Sequence, residues 1–376
     1  MTTASYKLFT PLALGEGLTL KNRVILSPLT RARCDPVTRK ADDLTATYYA
    51  QRVGAGLIIS EGCAMSEQGY GWYATPALYN REQMEAWKKV VDAVHSKDGK
   101  IFLQMVHWGR QGHSSFNSKN ELVSPSGIPA INGRIRNAQG EHSPHEVPRA
   151  LETDEIAGIV EDYRKSAALA KEAGFDGIEV HASGIALLNE FLQSVTNKRN
   201  DKYGGSFENR ARFLFEVLEA VQTVWPADRI GVRVSPNHSY SDMGSEDNDE
   251  MFTYVMEELG KLKLSYLAIL DGLATGYEDK YHGKCRVLTI LDAKNAFKGP
   301  VFATASYTRD IAEGAIRSGA ADAVGFGLLY IANPDLAERF ENDWPLAPHA
   351  EYDVWYNPAK GAEGYTTFPP YKTSEE

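Results

Sequence analysis

Cysteine is scarce: Cys34, Cys63 and Cys285 are the only three in 376 residues. They are odd in number and widely spaced, with no CxxC pair and no Cys/His cluster. That pattern argues against a disulfide framework and against a zinc site. Cys63 falls where an apolar run ends, so it either lines a site or is a small buried apolar residue. Positive charge is also in deficit. The chain has 40 Lys and Arg against 50 Asp and Glu, a formal net charge of −10. Broad contact with nucleic acid or an anionic membrane needs the opposite balance. No apolar run reaches the length of a membrane span. The opening MTTASYKLFTPL lacks a charged segment followed by an apolar one and reads as no signal peptide. The cysteine pattern fits a reduced, cytoplasmic location; the expected partner is a small-molecule substrate, and the expected state a monomer or homodimer.

What is present is one pattern repeated. Short runs rich in Val, Ile and Leu occur at 24–29, 56–62, 100–107, 177–182, 230–236, 266–272, 301–306 and 323–327. Near-continuous runs of this kind suit parallel strands buried on both faces. Segments of helical period lie between them. In 154–174, Ile156, Ile159, Val160, Tyr163, Ala167 and Ala170 share a face, and Gly174 marks the stop. Segment 208–225 reads similarly before Pro226, and 308–319 opens on a Thr cap and closes on Gly319. Eight such alternations predict a single α/β domain over 1–376, a (β/α)8 TIM barrel. The connection 108–150, after the third strand, is too long for a barrel loop and is expected to form a lid or wall. Residues 352–371 are expected to wrap the outside, with Tyr356 reaching the mouth.

Barrel active sites form at the C-terminal ends of the strands, and phosphates often dock after strands seven and eight. Those ends carry Pro28, Leu29 and Thr30; Glu61 and Gly62; Gln104 and His107; His181; Arg233 and Ser235; Asp271; Ala305 and Ser306; and Gly327. Arg233 lies inside a buried strand, where a lone charge is costly. It needs an anionic partner, either a ligand or a carboxylate of the barrel, and desolvation favours the ligand. Gln104 donates and accepts at once, which suits the edge of a heterocycle and equally a packed interior amide. His107 and His181, taken singly, read as satisfied core imidazoles. Asp271 before Gly272 reads as a turn cap. The small residues at 303–306 and Gly325–Gly327 allow close backbone approach or merely tight packing. Convergence of several polar groups on one rim is what favours function.

An ordered set of motifs carries the reading further. NRVILSPLTRAR, GLIISEGCAMSEQGYGW, FLQMVHWGRQGH, GFDGIEVHA with LLNEFLQSVTNKRNDKYGGSFENRARF, and GAIRSGAADAVGFG with YIANPDL span nearly the whole chain. Together they resemble the old yellow enzyme family of FMN-dependent ene-reductases. The resemblance implies FMN, reduced by NADPH or NADH, which then leaves before an α,β-unsaturated carbonyl compound enters the same site. It implies that Pro28, Leu29, Thr30 and Gly62 lie against the flavin ring and that Gln104 bonds its pyrimidine side. Arg233 would stabilise negative charge on the reduced ring. Ala305, Ser306, Gly327 and Leu328 would lie toward the phosphate. His181 would be the catalytic residue, polarising the enone through its carbonyl oxygen. Tyr70, Val106, Trp108, Gly184, Ala186 and Tyr356 would line the substrate pocket.

The chain also departs from that family. Three residues after the first His the family pattern has His or Asn, and two further a proton-donating Tyr; here those positions are Gly184 and Ala186. Leu328 stands where an Arg usually grips the phosphate, so an apolar side chain replaces a charge-assisted contact. Val106 stands where Trp is common, and His238 where small residues are familiar. These changes predict a larger pocket and a weaker hold on phosphate, with backbone N–H groups and a helix starting near Asn333 left to bind it. Two readings remain open. One is an ene-reductase in which water replaces the Tyr and His181 binds the carbonyl alone. The other is a repurposed barrel, natural or designed, that works without flavin. There an apolar cavity walled by Val106, Trp108, Ile185 and Leu328 would bind a ligand. A general base from Glu61, His107, His181, His238 or Asp271 would then abstract a proton from it or drive an elimination; without such a base the cavity would only bind.

Overall fold

A computed structural model describes residues 5–131, 133–271 and 285–372. Each apolar run contains a strand: β1 (Val24–Leu26), β2 (Leu57–Ile59), β3 (Ile101–Val106), β4 (Gly177–Ala182), β5 (Ile230–Val234), β6 (Tyr266–Leu270), β7 (Val301–Thr304) and β8 (Ala323–Phe326). Each strand pairs in parallel with the next, and β8 returns to β1 through Val324 and Val24, so the sheet closes into a barrel. The strands are shorter than the runs, so Pro28–Thr30 and Gly62 lie on the rim loops. Gly272, at the end of the sixth run, lies outside the described residues.

The surrounding helices are α1 (Asp43–Ala50), α2 (Arg81–His95), α3 (Glu155–Glu172), α4 (Leu187–Leu192), α5 (Phe207–Gln222), α6 (Asn248–Lys261), α7 (Ile290–Phe297), α8 (Arg309–Arg317), α9 (Leu329–Ala332) and α10 (Leu336–Glu341). Side chains of Asn80, Ser206 and Thr308 accept from the first-turn N–H groups of α2, α5 and α8. On α3 the expected face is buried at Ile156, Ile159, Tyr163, Ala167 and Ala170, while Val160 is only partly covered. No helix among the described residues is long and apolar enough to cross a membrane.

Alternation along the strands sorts the barrel interior into layers. The lower layer is dry: Ile25, Leu57, Phe102, Tyr266, Phe302 and Ala323 pack against Leu12, Leu14, Leu18 and Leu20. Those four leucines belong to an antiparallel hairpin, Leu12–Gly15 with Leu18–Leu20, that plugs the floor. Its large rings fit because the neighbouring strands carry no side chain beside them. A Cβ on Gly177 would fall 2.4 Å from Phe102, and one on Gly231 2.3 Å from Tyr266. Two residues further along the same inward faces come Gln104, Glu179, Arg233 and Thr304. The polar layer is thus lifted to the C-terminal rim.

The 108–150 segment is built, not structureless. Ile135–Arg136 pairs with His142–Ser143, and Val123–Ser124 with Arg149–Ala150. Buried Arg110 donates to the carbonyls of Ile128, Pro129 and Ser241, tying the segment to the loop after β5.

Candidate active site

Strand register brings the central polar groups together. Glu179 stands opposite Gln104 on the neighbouring β3, and His181 opposite Arg233 on β5. Gln104 Nε2 donates to Glu179 Oε1 at 2.7 Å, and the Tyr266 hydroxyl donates to Oε2 at 2.9 Å. Burial pushes the Glu179 carboxyl above its usual pKa, against Arg233 and these two donors, which all favour the ionised form. Arg233 Nη2 donates to Thr304 Oγ1 at 3.1 Å, while Nη1 has no hydrogen-bond partner in the protein. Both partners foreseen for this cation are therefore relevant: a carboxylate acts on it within the barrel, and a cavity opens beside it. Glu179 and Tyr266 escaped the sequence reading. Their signal was the strand's own alternation, which puts Glu179 on the same face as His181.

With the Gln104 amide nitrogen spent on Glu179, its oxygen faces the rim. A Cβ on Gly62 would lie 3.4 Å from that oxygen and 3.2 Å from Val106, so Gly62 offers a bare backbone face. His181 Nδ1 lies 3.4 Å from both Gln104 Nε2 and Ser183 Oγ. Burial, with Arg233 and His238 nearby, pushes its pKa down to about 3. The ring is neutral at neutral pH and carries one N–H donor.

Two cavities meet at the rim. A smaller one, of about 130 Å³, is bounded by Pro28, Thr30, Gly62 and Gln104 on one side and by Val106, Trp108, His181, Ile185 and Arg233 on the other. A longer cleft of about 520 Å³ runs from Pro28 and Arg233 past Leu29, Ala305, Ser306, Gly327 and Leu328 to Thr308 and His349. Pro28 and Arg233 border both. Ala305 and Ser306 have φ of 87° and 56°. Such left-handed, non-glycine backbone costs about 1–3 kcal/mol each and clusters at ligand-binding loops. Leu328 is 40% exposed on the cleft wall. His349 was not foreseen, since nothing local in the sequence tells where the chain after α10 passes.

Several expected pocket residues stand elsewhere. Tyr70 is buried with Ala64, Ala77 and Phe116, its hydroxyl donating to the Thr75 carbonyl and its ring 4.0 Å below the Arg39 guanidinium. Ala186 is fully buried in one cluster with Val106 and Trp108, on which Trp72 packs at 5.5 Å from Trp108, and it does not border the smaller cavity. Gly184 has φ +54° and sits beside His238 rather than on the cavity wall. Tyr356 meets Trp72 edge-on at 6.0 Å, one layer outside Trp108. Cys63 is simply buried, at 1% exposure. A helix does start near Asn333: α10 begins at Leu336, while Asn333 itself closes α9, donating to the Leu329 carbonyl and accepting from Ala347 N–H.

The general bases of the flavin-free reading are largely committed to the scaffold. Glu61, pushed up to about 7 by burial, accepts from the N–H groups of Arg31 and Ala32. His107 Nδ1 accepts from Gly109 N–H at 3.0 Å, and Asp271 accepts from Ile290 N–H and the Tyr307 hydroxyl. None of the three borders the smaller cavity. By contrast, the joined cavities fit FMN. A planar ring suits the bare face of Gly62, the acceptor oxygen of Gln104 and the unpartnered Arg233 Nη1, and a phosphate tail suits the longer cleft.

The sequence profile of the NADH:flavin oxidoreductase / NADH oxidase family matches residues 7–347. The 12-oxophytodienoate reductase 7 of Oryza sativa subsp. japonica is 38% identical over 365 residues, covering 93% of this chain and 91% of its own. For 12-oxophytodienoate reductase 2 of Arabidopsis thaliana the identity is 34% over 369 residues, covering 97% and 96%. Among solved structures, morphinone reductase superposes with a TM-score of 0.91 at 39% identity, covering 100% of this chain and 99% of its own. The old yellow enzyme homologue from Zymomonas mobilis gives 0.89 at 36%, covering 97% and 100%. Likeness of this extent, over a rim already shaped for flavin, establishes kinship: the chain belongs to the NADH:flavin oxidoreductase / NADH oxidase family and is an FMN-dependent NAD(P)H oxidoreductase of the old yellow enzyme type.

Proposed function

We propose that this protein reduces the activated C=C bond of compact α,β-unsaturated carbonyl compounds, with water as the final proton source. One observation carries the reading: the small polar cavity and the long cleft join at Pro28 and Arg233, side by side with a neutral His181. Pro28, Thr30, Gly62, Gln104 and Arg233 would hold the flavin ring, and Leu29, Ala305, Ser306, Gly327 and Leu328 would flank its tail. Bound FMN supplies two-electron transfer between nicotinamide and substrate. The chain supplies the field and the orientation. Arg233, already buried, favours negative charge added beside it. The N–H of His181 donates to the carbonyl oxygen and draws electron density away from the double bond. Val106, Trp108 and Ile185 exclude bulk water from the apolar side.

The proton source follows from what borders the cavity. No tyrosine and no carboxyl group does so among the described residues, and Thr30 carries the one hydroxyl there. Water entering from the rim supports protonation without a dedicated side chain. Compact substrates follow from Trp108, which Trp72 holds over the position where Ala186 is buried. The 108–150 segment, pinned by Arg110, is read as a fixed wall more than a lid. Free, buried Cys34 and Cys63 support a reducing, cytoplasmic setting.

The test is the visible spectrum of the protein after loading with FMN and desalting. Retained flavin absorbance that NADPH bleaches without oxygen and 2-cyclohexenone restores is the expected result. Bleaching without recovery by enones would remove the substrate class. Failure to retain FMN at all would remove the ring assignments.

A further inference from the structure

Trp108 is the inner end of a continuous file of aromatic rings. Its ring lies 5.5 Å from that of Trp72, centroid to centroid, Trp72 meets Tyr356 edge-on at 6.0 Å, and Tyr356 meets Tyr352 at 6.0 Å. Each pair is close enough for direct ring contact. The file begins at the smaller cavity, where Trp108 Cζ2 would stand 3.8 Å from a Cβ on Gly62, beside the bare face that suits the flavin ring. It ends in water. Trp108 is 4% exposed, Trp72 and Tyr356 are partly covered, and Tyr352 is 71% exposed.

Indole and phenol give up one electron far more readily than the ring of phenylalanine, and the file contains no Phe. Trp108 Nε1 is buried with no hydrogen-bond partner in the protein, so an oxidised Trp108 has no acceptor for its proton and stays a buried cation. Such a charge is unfavourable where it forms and less so at each step toward water. The gradient of burial therefore drives an electron vacancy outward. At the outer end Glu351 and Asp353, both exposed, flank Tyr352, and water is at hand to take its phenol proton. Tyr266 at the barrel floor offers no such exit, since its ring neighbours among the described residues are Phe102 and Phe302.

We propose that Trp108, Trp72, Tyr356 and Tyr352 form a light-opened electron relay from the protein surface to the flavin. Trp108 yields one electron to the light-excited ring and is refilled in turn from Trp72, Tyr356 and Tyr352. Tyr352 releases its phenol proton to water and is left a neutral radical. A soluble reductant of the ascorbate class returns one electron and one proton to it. Two such passages deliver two electrons to the flavin, which takes its proton from water, and the two reductant radicals disproportionate. Nicotinamide is bypassed. The relay requires the flavin ring to lie against Gly62, as the enone-reductase reading has it.

The experiment illuminates FMN-loaded protein with blue light, without oxygen or nicotinamide and with excess ascorbate, and follows flavin bleaching in the visible spectrum. Samples frozen under light without ascorbate are read by electron paramagnetic resonance. The wild type is expected to bleach and to show a tyrosyl radical. Trp72→Phe and Tyr356→Phe keep a ring in each place but one that does not oxidise. Each should slow bleaching severalfold and abolish the tyrosyl signal. Trp72→Tyr, oxidisable again, should restore both, which a merely structural role for Trp72 would not produce. Trp108→Phe should brighten flavin emission by removing the first donor. If emission brightens but Trp72→Phe bleaches at the wild-type rate, or if the wild type shows no tyrosyl radical, the relay falls alone. If emission is unchanged although FMN is held, the ring lies elsewhere, and the relay and the ring placement fall together. Retention of FMN and bleaching by NADPH, both read in the dark, report separately on the enone-reductase reading.

Discussion

The small cavity and the long cleft share Pro28 and Arg233 yet are built in opposite ways. The cavity floor is made of side chains fixed by strand register, each with a named partner: Gln104 on Glu179, Tyr266 on Glu179, Arg233 on Thr304. The cleft is made largely of loop backbone, with left-handed Ala305 and Ser306 and a half-exposed Leu328. The reacting end is thus over-determined by the barrel, while the end that grips the tail is left to loops. Change should be costly at the first and easy at the second.

The largest effect should come from the floor. Glu179→Ala leaves buried Arg233 without its carboxylate and should lower unfolding free energy by about 3–5 kcal/mol. Leu328→Ala, at the cleft, should change it by less than about 0.5 kcal/mol. Urea denaturation of both variants measures the contrast, and equal effects would break it. Next comes affinity at the cleft. Leu328→Arg adds a charge-assisted partner for phosphate, worth about 1.5–3 kcal/mol, or roughly ten- to hundredfold tighter FMN binding. Quenching of FMN fluorescence measures this; an unchanged constant would show that an Arg here does not reach the phosphate.

Ala186→Tyr tests the wall between the two regions. Ala186 is fully buried against Val106 and Trp108, so a large ring there should overpack, costing about 1–3 kcal/mol in thermal unfolding without raising enone turnover. A stable, faster variant would mean that Trp108 swings aside. The effect that is smallest near neutral pH is a pH slope. His107 has a folded pKa of about 3, below its ordinary 6.5, so the unfolded chain binds the proton first. Stability is then lost as pH falls from about 6.5 toward 3, by at most about 1.4 kcal/mol per pH unit. Buried Glu190, raised to about 8 from 4.5, acts on the other side: its contribution is full at acid pH and is lost as pH rises through 8. His107→Asn should flatten the acid limb alone in pH-dependent denaturation.

All eight barrel strands were legible because parallel strands buried on both faces must be written as apolar runs, and the helices between them because their apolar period is 3.6. The rim glycine, Gln104, His181 and Arg233 were legible because strand ends are where this fold does chemistry. Glu179 and Tyr266 were hidden inside runs read as merely apolar, although alternation would have exposed Glu179. The misjudged residues share another cause. Ala186 and Gly184 look like holes in one dimension, but Trp108, Trp72 and His238 arrive from other loops to occupy or border the space. A missing side chain is not a missing volume, and only the path of distant chain tells which it is.

The hairpin at 12–20 has a kinetic meaning beyond its packing. With its leucines packed on the lower layer, the barrel floor is closed among the described residues, and its polar layer opens toward the C-terminal rim. If donor and acceptor both reach that layer from the rim, they are expected to compete for it, and each in excess should delay the other.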